Sequence, residues 1–191
     1  MEKFERRVDN RTILDKFVED FCEVIDKYAR YIICSGFVAI AHGRTRGTED
    51  IDMIIEKMSE KEFLKMHREL KEKGFTCMQS EKPEVIYVDY LNKGDSVRYV
   101  EDEEGYFPPE MEIKFPKDEL DREQIKNRIK LPLTEVEVYF STIESNIAFK
   151  EEYLGSDKDV EDAKHLRIIY KNKLDENEIE VIKEKIRRFR K

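Results

Sequence analysis

Residues 11–30, RTILDKFVEDFCEVIDKYAR, place Ile13, Leu14, Phe17, Val18, Phe21, Val24, Ile25 and Tyr28 at helical spacing. This predicts an amphipathic helix with one apolar face turned to a core. YIIC, 31–34, is short and apolar, as a buried strand is, and Phe37 to His42 reads as a short helix after a Ser35-Gly36 turn. IDMII, 51–55, reads as a second strand. Ser59 and Glu62 form a capping box ahead of Phe63, Leu64, Met66, His67 and Leu70, and Gly74 is a stop signal. GFTCM, EVIYVDYL and SVRYV follow as apolar, β-branched segments with strand character, and MEIKF, 111–115, adds another. Residues 117–130 are predicted helical, and TEVEVYF, 134–140, alternates as a strand does. From Ser141 onward the pattern is helical, with breaks near Gly155 and over 172–175. The expected class is α/β (α+β): a mixed β-sheet flanked by helices over 1–140, then a mostly helical segment over 141–191.

Composition narrows the function. Of 191 residues, 39% are apolar, enough for a core, and 42% are charged, well above the usual quarter. The net charge of −8 excludes a globally basic nucleic-acid binder. The last nine residues, KEKIRRFRK, carry six basic groups and one acidic group. Two readings stand: a cationic helix end favoured by the helix dipole, or a local contact for RNA or phosphate. The acidic stretch EDEEGYFPPE, 101–110, is a solvated loop or a dock for a basic partner. Cys22, Cys34 and Cys77 are an odd number with no CxxC spacing, which reads as reduced thiols in a cytoplasmic protein. His42, His67 and His165 are not spaced with cysteine as zinc ligands. No stretch reads as a signal peptide, and no apolar run approaches the ~20 residues of a membrane helix.

The chemistry gathers in SGFVAIAHGRTRGTEDIDMII, 35–55. Residues i and i+2 of a strand share a face, so Asp50 and Asp52 project together, about 7 Å apart along the backbone. Two like charges in an otherwise apolar strand need a neutraliser. A divalent cation is the obvious one, since Mg²⁺ takes carboxylates together with substrate phosphates. The Ser35-Gly36 turn is small enough for a phosphate to approach its backbone, and Arg44 and Arg46 are placed for phosphate oxygens or for the aspartates. His42 is read as bonding locally at the helix end or touching phosphate or ribose. Tyr87, Tyr90, Tyr99 and Tyr106 are read as packing groups or base-stacking groups.

The run Ser35-Gly36, His42-Gly43-Arg44-Thr45-Arg46-Gly47-Thr48-Glu49-Asp50-Ile51-Asp52 resembles the signature of minimal nucleotidyltransferases of the DNA-polymerase-β superfamily, particularly the AbiEii-like group. That signature runs from a strand through Gly-Gly or Gly-Ser and a short helix often ending in His-Gly, to Arg-x-Thr-x-Asp-Ile-Asp. Ser35 stands where a first glycine is commoner, and Val38 where alanine is common. The likeness continues over 135–166, where Lys150 matches a lysine thought to contact the nucleotide triphosphate. Lys158, Asp159 and Asp162 match a Lys-Asp-x-x-Asp stretch.

The resemblance implies a nucleotidyltransferase fold over 1–140, with 141–191 completing the site. It implies transfer of an NMP from an NTP to a hydroxyl, with Mg²⁺ or Mn²⁺ as cofactor. Asp50 and Asp52 would hold the metal. The third carboxylate of the superfamily is expected at Asp89, within EVIYVDYL, with Glu112 as runner-up. Ser35, Gly36, Arg44, Arg46, Thr48 and Lys150 would bind the nucleotide. The acceptor is left open between tRNA, a protein side chain and a small molecule, and the resemblance raises a toxin role with a cognate antitoxin. No membrane partner is expected. The other class of function is a catalytically inactive nucleotide- or RNA-binding module on the same fold.

Overall fold

A computed structural model describes residues 13–45, 50–101 and 109–189. Helix α1 (Ile13–Ile25) buries Phe17, Val18, Phe21, Cys22, Val24 and Ile25, the face set by its apolar spacing. Strand β1 (Tyr31–Cys34) leads through the Ser35 turn into α2 (Gly36–Ala41). Strand β2 (Asp50–Ile55) and helix α3 (Glu60–Glu72) follow, and α3 opens on the Ser59–Glu62 capping box that the sequence predicts. Gly74 then turns the chain at a φ of 93° into β3 (Phe75–Cys77).

The segment EVIYVDYL corrects an expectation. It forms no strand: α4 (Pro83–Val85) runs on as a π-helical turn over Ile86–Tyr90 and a 3-10 turn over Leu91–Lys93. Ile86 and Leu91 are buried, with Tyr87 and Tyr90 packed beside them. Apolar positions 86, 87, 90 and 91 suit a helix as well as a short strand, and Pro83 at the first helical position settles the choice.

Strands β4 (Val97–Glu101) and β5 (Glu110–Lys114) complete a five-stranded mixed sheet in the order β1-β2-β5-β4-β3. Only β2 and β5 run parallel. One face carries Ile33, Ile51, Met53, Ile55, Phe75, Val97, Tyr99, Met111 and Ile113 into the main core, together with α1 and α3. The opposite face carries the alternate residues. There a small apolar group of Ile32, Ile54 and Ile125 packs under α5 (Glu119–Lys126). Apart from Cys34 and Val100, the rest of that face is polar.

TEVEVYF keeps its alternation, with Val136, Val138 and Phe140 buried, but makes only isolated bridges from Phe140 to Ile33 and to Ile129. Thr134 ends a 3-10 turn, Glu135 turns left-handed, and the segment meets β1 only near Phe140, without a ladder. From there every described element is helical: α6 (Ile143–Phe149) continues as a π-turn to Leu154, Gly155 turns left-handed, and α7 (Asp157–Ile169) and α8 (Glu176–Phe189) follow. The basic end of α8 is ion-paired, Lys183 with Glu151, Lys185 with Glu123, Arg187 with Glu152 and Glu180, and Arg188 with Glu184.

Candidate active site

Strand register assembles the acids. Asp50 and Asp52 share a face of β2, and the parallel pairing sets Glu110 opposite Asp50 and Glu112 opposite Asp52. Adjacent strands lie about 4.8 Å apart, so four carboxylates form a patch two strands wide. Burial pushes the Asp52 carboxyl above its usual range. A hydrogen bond from the Ser35 hydroxyl opposes that shift, and the charges of Glu112 and Asp50 add to it. Asp52 is therefore an acid whose negative charge the fold leaves partly uncompensated.

Two cations flank the patch. Lys114, one register step along β5, draws the Asp52 carboxyl down through its charge. Arg98 on β4 stands opposite Glu112. Its Nε and one terminal nitrogen lie 3.1 and 3.0 Å from Glu112 Oε2, and Nε lies 3.4 Å from Glu110.

The patch opens into a cleft of about 490 Å³. Ser35, Asp52, Glu112 and Lys114 line its sheet side, Asn146 and Lys150 its helical side, and Phe149, Tyr153 and Phe189 an apolar wall. Segments on both sides of residue 140 thus contribute to one cavity. Ser35 has φ 64° and ψ −132°, a backbone conformation that glycine adopts freely and other residues seldom do. The structure gives a physical reason for glycine being commoner at this turn, and the bond to Asp52 offsets part of the strain in serine.

Lys150 is buried to 1% exposure, and its Nζ lies 2.8 Å from the fully buried Asp162 and 3.6 Å from Asp159. Arg44 bonds the other oxygen of Asp162, and also Glu161 and the Lys158 carbonyl. His42 reinforces this junction. Its Nδ1–H donates to the Val38 carbonyl at 2.6 Å, which leaves Nε2 to accept the Tyr170 hydroxyl at 2.7 Å. His165 donates to the His42 carbonyl. Burial holds the His42 imidazole below its usual range, so the neutral ring suits this bonding. The His-Gly-Arg run therefore ties the end of α2 to α7, and Arg44 is engaged there, away from the acid patch.

The other expected site residues divide clearly. Gly36 is buried at the start of α2, beside the patch. Asp89 lies on the π-helical turn, exposed, paired with Lys93 at 2.8 Å, and outside the residues lining the cleft. Glu112, the runner-up, sits beside Asp52. Arg46 and Thr48 lie outside the described residues, as do Tyr106 and most of the acidic stretch after Glu101. Tyr99 is a core residue bonded to His67, and Tyr87 donates to the Met58 carbonyl. The Cys34 thiol, at the cleft edge, is pushed up to about 12 by burial and the Asp52 charge, which makes it a poor nucleophile. Sequence reading did not single out Glu110 or Arg98. Alternation in EMEIK puts Glu110, Glu112 and Lys114 on one face, but only the β2–β5 and β4–β5 registers show what they meet.

Among the described residues no three His, Cys, Asp or Glu side chains form a group that could hold a metal ion as they stand. The donor chemistry still fits Mg²⁺ or Mn²⁺: the donors are carboxylate oxygens, around an Asp52 that burial and like charge disfavour as an anion. Asp50, Asp52 and Glu112 are the residues that would hold such an ion.

No protein-family model matches the sequence, and no curated protein matches it. Among solved structures the chain is similar to the aminoglycoside nucleotidyltransferase ANT(2'')-Ia. The likeness to the solution structure of this antibiotic-resistance factor has 14% identity and a TM-score of 0.51, over 91% of each chain. The likeness to its crystal structure in complex with adenylyl-2''-tobramycin has 17% identity and a TM-score of 0.54, over 94% of this chain and 100% of that one. At such identity the likeness speaks to architecture, and what the chain shares with these proteins is the nucleotidyltransferase fold.

Proposed function

We propose that the protein is a Mg²⁺- or Mn²⁺-dependent nucleotidyltransferase that moves an NMP from an NTP to a hydroxyl acceptor, with pyrophosphate leaving. The observation that carries this reading is the register of Asp52 and Glu112 on neighbouring strands, in the cleft that also holds the Ser35 turn and Lys150. In this reading Glu112 takes the third-acid role for which the sequence suggested Asp89. The acceptor oxygen attacks the α-phosphorus as the bond to pyrophosphate breaks. Asp50, Asp52 and Glu112 would hold the metal, which supplies positive charge for the phosphates in flight. Glu112 takes the acceptor proton in this reading. Lys150, the Ser35-Gly36 turn, Arg46 and Thr48 hold the triphosphate. Arg44 acts at one remove, by fixing Asp162 and through it Lys150. Residues 1–140 form the core domain, and 141–191 complete its site.

A small-molecule acceptor is the favoured class. ANT(2'')-Ia has been seen with an adenylylated aminoglycoside. The ion pairing along α8 removes much of the case for an RNA-binding tail. Transfer to tRNA or to a protein, membership of the AbiEii-like group and a toxin role with an antitoxin rest on the sequence resemblance. Three free cysteines support a cytoplasmic setting. No helix among the described residues is long and apolar enough to cross a membrane.

The test is label transfer. The protein is incubated with Mg²⁺ or Mn²⁺ and each α-labelled NTP, in separate arms holding aminoglycosides, total tRNA or cell protein, beside an Asp50→Asn/Asp52→Asn control. Label on an acceptor, absent with the control, is expected. NTP binding without label in any arm would favour the inactive binding module.

A further inference from the structure

We propose that Arg98 is a built-in counter-ion for the acid patch, which an incoming divalent cation must displace from Glu112, and that Arg98 thereby sets the cation affinity of the site. This rests on the metal-dependent reading given above. Cys34, Asp52, Glu112 and Arg98 form one cross-strand row over β1, β2, β5 and β4. Arg98 ends that row on the side of Glu112 away from Asp52. Its two contacts with Glu112 fall on the same oxygen, Oε2, and its Nε also reaches Glu110.

One guanidinium thus serves both β5 carboxylates, and its own charge responds chiefly to Glu112, with Asp50 and Glu110 contributing. While Glu112 faces Arg98, it does not converge with Asp50 and Asp52. That matches the lack of a ready three-acid group among the described residues. Arg98 is 44% exposed and long, so it can leave the patch without unpacking the sheet. Its backbone is fixed independently: its N–H donates to Gln79 at 2.7 Å, and its carbonyl accepts from Met78 at 2.8 Å. The exchange is therefore confined to a side chain. A dication at the patch repels the arginine, and Glu112 trades one cation for the other. Without the arginine, the free site would hold its carboxylates at higher mutual repulsion and bind the cation more tightly.

The experiment titrates Mn²⁺ into the full chain without nucleotide and reads free Mn²⁺ by electron paramagnetic resonance. Wild type is compared with Arg98→Gln, Arg98→Lys, Arg98→Gln/Glu112→Gln and Asp52→Asn, each checked for folding by its unfolding transition. A unit charge near a dication at solvent-like screening predicts about tenfold tighter binding for Arg98→Gln. Arg98→Lys should stay near wild type, and the double variant should lose the gain. Unchanged or weaker Mn²⁺ binding in Arg98→Gln, with Asp52→Asn still abolishing it, would overturn the counter-ion role and leave the metal-dependent reading standing. Absence of Mn²⁺ binding in every variant would overturn both.

Discussion

Two charged groups bound the same cleft, and they are built on opposite plans. At the helical side one fully buried carboxylate, Asp162, is shared by two cations, Lys150 and Arg44. At the sheet side Arg98 meets Glu112 and Glu110, the charge of Lys114 draws the Asp52 carboxyl down, and burial and like charge push it up. The first group is satisfied from within the chain and joins α2 to α6 and α7. In the second, burial and like charge disfavour the Asp52 anion, a setting that suits the recruitment of positive charge from outside. The lesson is that internal partners fix a buried charge in place, as Asp162 fixes Lys150 at the cleft wall, whereas a buried acid without a close cation is left open to one from outside.

The sharpest way to break this contrast is to unbalance the satisfied group. Asp162→Ala leaves Lys150 buried with the more distant Asp159, at 3.6 Å, and stability should fall by about 3–5 kcal/mol, read as a lower urea midpoint. A smaller loss would mean that the junction is hydrated and its charges screened.

Asp52→Asn tests the other plan. Transfer should fall at least about 10²-fold, the cost typical of losing one electrostatic element of an active site. Stability should rise. A carboxyl whose folded pKa lies above its ordinary value stabilises the fold below that ordinary value and loses the contribution as pH rises through the folded pKa. At neutral pH wild-type Asp52 is thus a liability that asparagine removes, and thermal unfolding should move upward. A lower unfolding temperature would show that the Asp52 charge is already compensated.

A weaker effect follows from two buried histidines, His42 at the α2–α7 junction and His67 in the main core. Burial holds His42 and His67 below the usual value, for His67 with help from Lys71. The unfolded chain then binds more protons than the native one, so stability present above about pH 6.5 is lost as pH falls through the folded values. Urea midpoints between pH 8 and pH 5 should decline, and His42→Asn should flatten that slope. The smallest effect belongs to Asp89→Asn. Its exposed pair with Lys93 lies outside the cleft, so transfer and stability should both match wild type.

The sequence carried much of this wherever the cause was local. The alternation of Asp50-Ile51-Asp52-Met53, the capping box at Ser59 and the turn ahead of α2 all depend on neighbours in the chain. The segment that carries Asp89 reads as a strand because Ile86, Tyr87, Tyr90 and Leu91 satisfy a helical period and also form a β-branched, aromatic run. The partners of Arg98 and Arg44 lie beyond sequence reading for a different reason. The first meets Glu112 through strand register across 14 residues, and the second meets Asp162 across 118. The sequence places Arg44 for phosphate oxygens or for Asp50 and Asp52, and the acids it meets are Asp162 and Glu161. Which acid it meets is a property of the folded chain.

The central claim is that catalysis rests on neighbouring strands β2 and β5. Its most direct test is α-labelled nucleotide incorporation by wild type, Glu112→Gln and Asp89→Asn, assayed side by side with Mg²⁺ and the acceptor that takes label. The account predicts equal label for wild type and Asp89→Asn, and at least about 10²-fold less for Glu112→Gln. Full activity in Glu112→Gln, or its loss in Asp89→Asn, would contradict it.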